Sequence, residues 1–521
     1  MSKLKGYYLP KSLKSIEKEM EFSEKKVNDY SLLLPNINQD NIKEIVTGLK
    51  ENRKKYLINM PFPEIAKIYG AVSRTWSDNN YEKKKIALEL LPVLTNLSPE
   101  LIEFYQFRSI YKIDEKTINF LSTLKLPPDV FKNFTPIDNA NTFVRAYAGF
   151  RDKIALKKIT QYNQELELVT YITPSNVPGF IESLGIFIAS IVRASGLIKT
   201  PSVQPLFAPL YAESVAEQSK QIGETIAVVP WAGGDKSIED VIFRNSNVVS
   251  VVSSTQTAIS VKARVDELNK SGSSIKGCYH GGKFGIELIG REMANHDVAG
   301  LAAIDGIGYE GYMCGSPAFG FFVEEGGELS PLEFAEALAG EMEKISRSIP
   351  QTNFFRKLRD IKIGEIISRP EFDGGQKIFA SSENNFAVIY ESNFNLNPIG
   401  QNRLIRVFGV KNLEEVIGEM KPWKDYLQTA GVAIGNDRLK ILSELMGKTG
   451  FSNIRVVGTV ALPRLGEAWD GYYPVYEFFI PDSIHWTSIN TIDFENEIKE
   501  LTKIKNAVVK KGVFNPSLGI R

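Results

Sequence analysis

Hydrophobic residues follow two different periods along the chain. In the stretch YEKKKIALELLPVLTNLSPELIEFYQF, residues 81–107, apolar positions recur every three or four residues, which predicts amphipathic helices. No catalytic constellation stands out in the first 150 residues. This region is therefore predicted to be mainly helical and accessory to a site elsewhere.

From about residue 165 the pattern changes to short β-branched runs separated by helical stretches. The runs are LELVTYI, LIKT, TIAVVPWAGG and VVSVVSS, and the last is followed by the helical stretch TQTAISVKARVDELNK. Strands that alternate with helices predict a parallel sheet covered on both faces. Such sheets bind ligands at the carboxyl ends of their strands, where Asn176, Lys199, Trp231 and Ser253 fall.

A second α/β section begins near residue 283. It includes the strand-like run AFGFFVEE and a helix that starts at Pro331, where Ser330 and Glu333 have the spacing of a capping box. Late in the chain, GYYPVYEFFI is rich in β-forming residues. The pattern thus predicts two associated α/β sections after the helical region.

Composition excludes several classes of protein. The 521 residues suggest two or three domains, and 62 basic and 62 acidic residues leave no net charge to indicate a nucleic-acid partner. Two cysteines, Cys278 and Cys314, indicate a reducing compartment rather than a disulfide scaffold. The N-terminus shows no signal peptide, and the longest apolar run, near Leu184–Val192, is about half a membrane span. We expect a cytoplasmic protein without a membrane span.

Candidate chemistry centres on Cys314, in the glycine-flanked turn GYMCGSP. A thiolate there would be an accessible nucleophile, although a lone cysteine is also a common small core residue. Asn176, in PSNVPG, could donate its amide to an oxyanion or simply form a turn. His280 could pair with Cys314 or serve packing alone. The turn at Gly233 and Gly234 could approach a phosphate, and the histidines and cysteines have no metal-ligand spacing.

The order of five motifs resembles the aldehyde dehydrogenase superfamily. The superfamily's oxyanion loop, cofactor segments and nucleophile loop correspond, in order, to Pro174–Pro178, Lys199–Ser202, Ser253–Thr255, Tyr279–Lys283 and Gly311–Cys314. The resemblance implies an α/β fold of the aldehyde dehydrogenase type with two parallel-sheet domains. Its parts would be an N-terminal helical region (1–150), a nicotinamide-cofactor-binding domain (151–282), a catalytic domain carrying Cys314 (283–465) and a C-terminal segment (466–521) with an oligomerisation strand, for which GYYPVYEFFI is the candidate.

The resemblance also implies roles for individual residues. Cys314 would be the nucleophile, and the Asn176 amide with the Cys314 backbone N–H would hold the oxyanion. The expected cofactor-binding residues are Lys199, Ser202, Trp231, Gly233, Gly234, Ser253, Ser254, Thr255, Gly281 and Gly282.

Two departures from the superfamily pattern change the expected chemistry. Tyr279 stands where the superfamily has the glutamate that activates water, so hydrolysis of an acyl-enzyme should be slow. Ser202 or Val203 replaces the glutamate that holds the adenosine ribose, which favours NADPH over NADH because Lys199 could then pair with a 2′-phosphate.

Within the superfamily the chain is most similar to the LuxC-like acyl-CoA reductases, the fatty acid reductase family. The helical lead-in at residues 81–105 and the segment WKDYLQTAG, residues 423–431, carry this similarity. It implies reduction of a fatty acyl thioester, either acyl-CoA or an acylated protein, to the aldehyde with NADPH. It also implies an acyl-protein synthetase-like partner and a homo-oligomer.

Three alternatives remain open from the sequence. The first is a CoA-acylating semialdehyde dehydrogenase that acts on a short acyl group with the same Cys314 and Asn176. The second is a Cys–His hydrolase that uses His280 and no nicotinamide. The third is a non-catalytic scaffold that has kept the fold.

Overall fold

The computed structural model describes residues 2–117, 128–138, 140–147, 166–308, 310, 313–368, 376–398, 402–464, 466–473, 475–479 and 484–510. The predicted boundaries at residues 150/151 and 465, and the nucleophile-loop residues Gly311 and Tyr312, lie outside these ranges.

The strands, numbered in chain order, are β1 (Ser2–Lys5), β2 (Glu21–Val27), β3 (Tyr30–Asn36), β4 (Thr135–Pro136), β5 (Phe143–Tyr147), β6 (Leu168–Ile172), β7 (Ser195–Lys199), β8 (Ile226–Val229), β9 (Val248–Val252), β10 (Lys276–His280), β11 (Phe284–Ile289), β12 (Phe321–Glu324), β13 (Lys377–Ala380), β14 (Ala387–Glu391), β15 (Leu404–Val410), β16 (Leu427–Ala433), β17 (Asn453–Val456) and β18 (His485–Ile489).

The α-helices span Gln39–Tyr56, Phe62–Ser77, Glu82–Thr95, Pro99–Leu101, Phe107–Lys112, Phe180–Ile191, Phe207–Gln218, Lys220–Gly223, Lys236–Asn245, Thr255–Lys270, His296–Gly308, Pro331–Ser346, Asn353–Ile367, Leu413–Glu419, Asn436–Thr449 and Phe494–Lys510. A π-helical turn spans Ile102–Gln106, and 3₁₀ helices span Lys11–Glu19, Pro128–Phe131, Arg291–Met293, Lys421–Tyr426 and Tyr476–Phe478.

Two of the three sheets seen in the described residues carry the site. One has five parallel strands in the order β10-β9-β6-β7-β8. The other has ten strands in the order β13-β14-β15-β12-β11-β16-β17-β18-β5-β4, parallel from β14 to β18. Strands β6, β8 and β9 are buried along their whole length, as expected for a parallel sheet with helices on both faces. The predicted α/β fold is confirmed.

The N-terminal region contains more β-structure than its pattern predicted. Strands β1, β2 and β3 form a third, three-stranded sheet before the first α-helix, Gln39–Tyr56. Its hairpin turns at Asn28, which has a φ of +49°, a conformation that asparagine tolerates better than most residues. The predicted helix around residues 81–95 is present as Glu82–Thr95, with Pro92 inside it rather than at its end.

Two local features of the structure are not apparent from the hydrophobic pattern. The helix Phe180–Ile191 ends before Arg193, which adopts a left-handed φ of +54°, and Gly196 lies in β7. The segment GYYPVYEFFI, the candidate oligomerisation strand, contains the 3₁₀ helix Tyr476–Phe478. Tyr473 and Phe478 are buried within the chain, and a role of this segment in oligomerisation stays a prediction.

Candidate active site

Cys314 lies in a tight turn that is docked on the start of β11. The Gly315 N–H donates to the Lys283 carbonyl (3.4 Å), and the Lys283 backbone N–H donates to the Cys314 sulfur. Gly315 has a φ of +77°, the left-handed region that favours glycine. The Cys314 side chain is half-buried. Burial raises the pKa of its thiol to about 12, the charge of Asp470 acts in the same direction, and Lys283 opposes both.

The Asn176 loop and the cysteine turn meet the same helical segment. Gln106, the last residue of the π-helical turn, donates from Nε2 to Met313 Sδ at 3.6 Å. The next residue, Phe107, lies 3.2 Å from where a Cβ on Gly179 would be. Asn176 itself is half-buried, in the loop that follows β6. Successive residues of one helical turn therefore contact the ends of both predicted catalytic loops.

Five of the predicted cofactor residues are brought together at the start of one helix. The Ser253 N–H donates to the His280 carbonyl (3.1 Å), and Ser254 caps the helix Thr255–Lys270. The Gly282 N–H donates to Thr255 Oγ1 at 3.0 Å, and a Cβ on Gly281 would lie 3.2 Å from the same oxygen. The cap is neutral and the first turn carries no acidic residue. This helix end is therefore well suited to an anion.

Lys199 and Trp231 form a second group at the carboxyl edge of the five-stranded sheet. The Lys199 ammonium lies 5.6 Å from the centre of the Trp231 ring. Burial lowers the pKa of Lys199, and the nearby Glu239 opposes that shift. Burial raises the pKa of Glu239, and the nearby Gly234 N–H, Trp231 indole and Lys199 lower it. A buried carboxylate thus accompanies the lysine that the sequence singled out.

Ser202 and Gly233, unlike Lys199 and Trp231, are exposed to solvent. Ser202 is exposed, and its carbonyl and that of Val203 accept from Lys25 Nζ at 3.4 and 2.9 Å. Gly233 is exposed, with open space where a Cβ would be. The following helix, Lys236–Asn245, is capped by Asp235, whose carboxylate accepts from the Ser237 N–H at 2.9 Å. That acidic cap makes this helix end a poorer place for a phosphate than Ser254.

Tyr279 and His280 point to opposite sides of β10. The Tyr279 ring lies over the helix Thr255–Lys270, 5.7 Å from the Lys262 ammonium. His280 is fully buried, with Nδ1 3.0 Å from Asp470 and Nε2 3.0 Å from Glu477. Burial alone would lower the pKa of His280, but the two carboxylates outweigh it and raise the pKa to about 9. Because both ring nitrogens are already engaged, His280 is poorly placed to act as the base of a Cys–His hydrolase.

The residues that sequence reasoning missed are those without a motif of their own. Asp470 and Glu477 come from the C-terminal segment, Gln428 from β16 and Glu239 from a helix. Gln428 lies in WKDYLQTAG, and membership of that segment was its only sequence signal. Among the described residues no group of three or more His, Cys, Asp or Glu could hold a metal. No helix in the described ranges is both long and apolar enough to cross a membrane.

Comparison with solved structures identifies the fold. The salicylaldehyde dehydrogenase of Pseudomonas putida G7 matches with a TM-score of 0.62 and 14% identity, covering 94% of this chain and 98% of that one. The NADP-dependent glyceraldehyde-3-phosphate dehydrogenase of Bacillus halodurans C-125 matches with a TM-score of 0.56 and 14% identity, over 90% and 95% of the two chains. The fold is that of the aldehyde dehydrogenases.

A match in sequence assigns the chain to one family among proteins with this fold. The pattern of the family described as acyl-CoA reductase (LuxC) matches residues 151–480, more than half of the chain. The chain therefore belongs to the acyl-CoA reductase (LuxC) family and is an oxidoreductase, which confirms the resemblance found from its motifs. No curated protein is similar enough in sequence to match.

Proposed function

We propose that the protein reduces a fatty acyl thioester to the aldehyde with NADPH, through an acyl-enzyme on Cys314. The observation that carries the proposal is the docking of the cysteine turn on Lys283. It holds a half-buried thiol beside the Gly281–Gly282 turn, at the junction of the two large sheets. Membership of the acyl-CoA reductase family supports the same chemistry.

The residues at the edge of the five-stranded sheet fit a nicotinamide dinucleotide. The neutral helix end at Ser254 and Thr255, with the glycine turn against it, would take the pyrophosphate. Lys199 would pair with a 2′-phosphate, which favours NADPH. The bound cofactor supplies hydride. The chain's own residues hold the acyl group and exclude competing reactions.

In the proposed reaction, the acyl group is bonded to Cys314 Sγ between its release from the donor thiol and its departure as the aldehyde. Cys314 Sγ bonds to the thioester carbonyl carbon, the bond from that carbon to the donor sulfur breaks, and the donor thiol leaves with the proton that Cys314 gave up. The Asn176 amide and the Cys314 N–H would stabilise the oxyanion, and losing one such donor costs about a hundredfold in rate. After hydride addition the carbon–Sγ bond breaks, aldehyde leaves, and Cys314 regains a proton.

The position of Tyr279 accounts for the choice of reduction over hydrolysis. In the superfamily that the chain resembles, the glutamate of this motif activates water. Here the residue is a tyrosine whose ring lies over Lys262 on the far side of β10 from His280. With no base of that kind, the acyl-enzyme persists long enough for hydride transfer.

The test is turnover with tetradecanoyl-CoA and NADPH, following NADPH absorbance and trapped aldehyde together. We expect stoichiometric aldehyde, abolished in Cys314→Ala and retained in Cys278→Ala, the matched control, whose buried thiol faces the Glu477 carbonyl at 3.7 Å. CoA release without NADPH oxidation would indicate acyl transfer or hydrolysis. Activity confined to short acyl groups in the oxidative direction would indicate a semialdehyde dehydrogenase. Without any turnover, an acylated protein donor and an acyl-protein synthetase-like partner are tested next, and failure there favours the scaffold.

A further inference from the structure

A buried charged network, to which the motifs above assign no role, lies behind the cysteine turn. His280 lies between two carboxylates, Asp470 and Glu477, each 3.0 Å from a ring nitrogen. Its ring stacks on Trp469, with centroids 4.4 Å apart and an interplanar angle of 15°. The imidazole, Asp470 and Glu477 are all at most 4% exposed. Such a group stays charged away from water only because its partners are fixed.

The network reaches the cysteine turn through Gln428. Gln428 Nε2 donates to the second oxygen of Asp470, and Gln428 Oε1 lies where a Cβ on Gly315 would be. Asp470 has a left-handed φ of +51°, which a non-glycine residue keeps only where its surroundings hold it. The carboxylate is therefore held in one place, one side chain away from the residue that follows Cys314.

We propose that Asp470 is a positioning residue for the nucleophile: held by His280 and Gln428, it keeps Cys314 as the neutral thiol in the free enzyme. The proposal rests on the role of Cys314 proposed above. Both oxygens of Asp470 are engaged, so it does not act as a base for water. Its charge opposes a thiolate beside it, and release of the thiol proton then awaits the reacting acyl group.

The charges around the sulfur support this assignment. Asp470 raises the pKa of the Cys314 thiol in addition to the effect of burial, and Lys283 lowers it. His280 and Glu477 lie behind Asp470, and the hydrogen bond from His280 holds the pKa of Asp470 below its usual value despite burial. Glu477 is hydrogen-bonded to the other ring nitrogen of His280, and among the described residues no hydrogen bond joins its carboxylate to the cysteine turn. Glu477 is therefore a suitable control for Asp470, because both carboxylates are bonded to His280 and only Asp470 is connected to the cysteine turn.

The experiment is alkylation of the purified protein by iodoacetamide between pH 7 and 10, with labelling of Cys314 and Cys278 resolved by mass spectrometry. We expect Asp470→Asn to label Cys314 about tenfold faster at pH 8 and to move its pH profile about one unit lower. Glu477→Gln, the matched control, should stay within about twofold of the wild type, and Asp470→Glu should restore slow labelling. Asp470→Gly removes the charge and suits the left-handed backbone, so it serves if the asparagine variant fails to fold.

Equal or slower labelling of Cys314 in the folded Asp470→Asn or Asp470→Gly variant would overturn the proposal. So would a Glu477→Gln variant as fast as Asp470→Asn, because the effect would then belong to the whole network. Labelling needs neither acyl thioester nor NADPH. A protein that shows the expected labelling but makes no aldehyde from acyl-CoA or from an acylated protein donor would refute the proposed function and leave the effect of Asp470 on the thiol standing.

Discussion

Replacing Gly315 by alanine tests whether the cysteine turn is held as tightly as its contacts indicate. A Cβ at this position would lie nearer to Gln428 Oε1 than the 3.0 Å below which such contacts are essentially never seen. The Gln428 amide cannot simply swing away, because its Nε2 donates to Asp470. The added methyl group must therefore move the turn or break that hydrogen bond.

Two free-energy costs set the expected loss of stability in Gly315→Ala. Holding alanine at a φ of +77° costs about 1–2 kcal/mol. Losing a hydrogen bond to a buried carboxylate costs about 1–3 kcal/mol. In a chain of 521 residues, each 1 kcal/mol corresponds to about 1 °C in Tm, so we expect a fall of about 2–5 °C. If the turn shifts by about 1 Å, aldehyde formation should fall about a hundredfold.

The assay is Tm by calorimetry together with kcat/KM for aldehyde formation. Gly340→Ala is the matched control, because Gly340 lies exposed in the helix Pro331–Ser346 with nothing within 4 Å of the added carbon. That variant should be about 0.5–1 kcal/mol more stable and fully active, since alanine is the better helix former. A Gly315→Ala protein with unchanged Tm and activity within twofold of the wild type would refute the reasoning.

Three further predictions concern single side chains. Burial and the neighbouring Asp305 raise the pKa of Glu287 well above its usual 4.5. The stability that comes from its bound proton is therefore complete below pH 4.5 and is lost as the pH rises. In Glu287→Gln, Tm should fall less between pH 5 and 8 than in the wild type, and an unchanged dependence of Tm on pH would contradict this. Tyr279→Glu should not give measurable acyl-enzyme hydrolysis, because the side chain points away from the cysteine turn; release of free fatty acid would disprove it. Glu239→Gln should tighten NADPH about tenfold relative to NADH in a fluorescence titration, because a carboxylate beside Lys199 repels a 2′-phosphate; an unaltered ratio would place the ribose elsewhere.

Much of the fold was predictable from local pattern. The β-branched runs became β6 to β9, and the helix predicted after VVSVVSS spans Thr255–Lys270. The capping box at Ser330 and Glu333 is present as expected. These features depend only on residues a few positions apart, so they can be recognised in the sequence without knowledge of the fold. GYYPVYEFFI is rich in β-forming residues but contains a 3₁₀ helix, because the apolar residues of such a turn look the same in sequence as those of a strand.

Some residues of the candidate site were predictable from the sequence, and others were found only in the tertiary structure. Sequence order alone nominated Cys314, Asn176, Lys199 and the glycine turn at Gly281–Gly282, because motifs in a fixed order are a property of the chain. The tertiary structure added Asp470, which lies 156 positions beyond Cys314 and acts on its thiol, and it placed Glu239 beside Lys199. Charges act through space with a strength set by distance and burial, and neither quantity exists until the sheets have folded against each other.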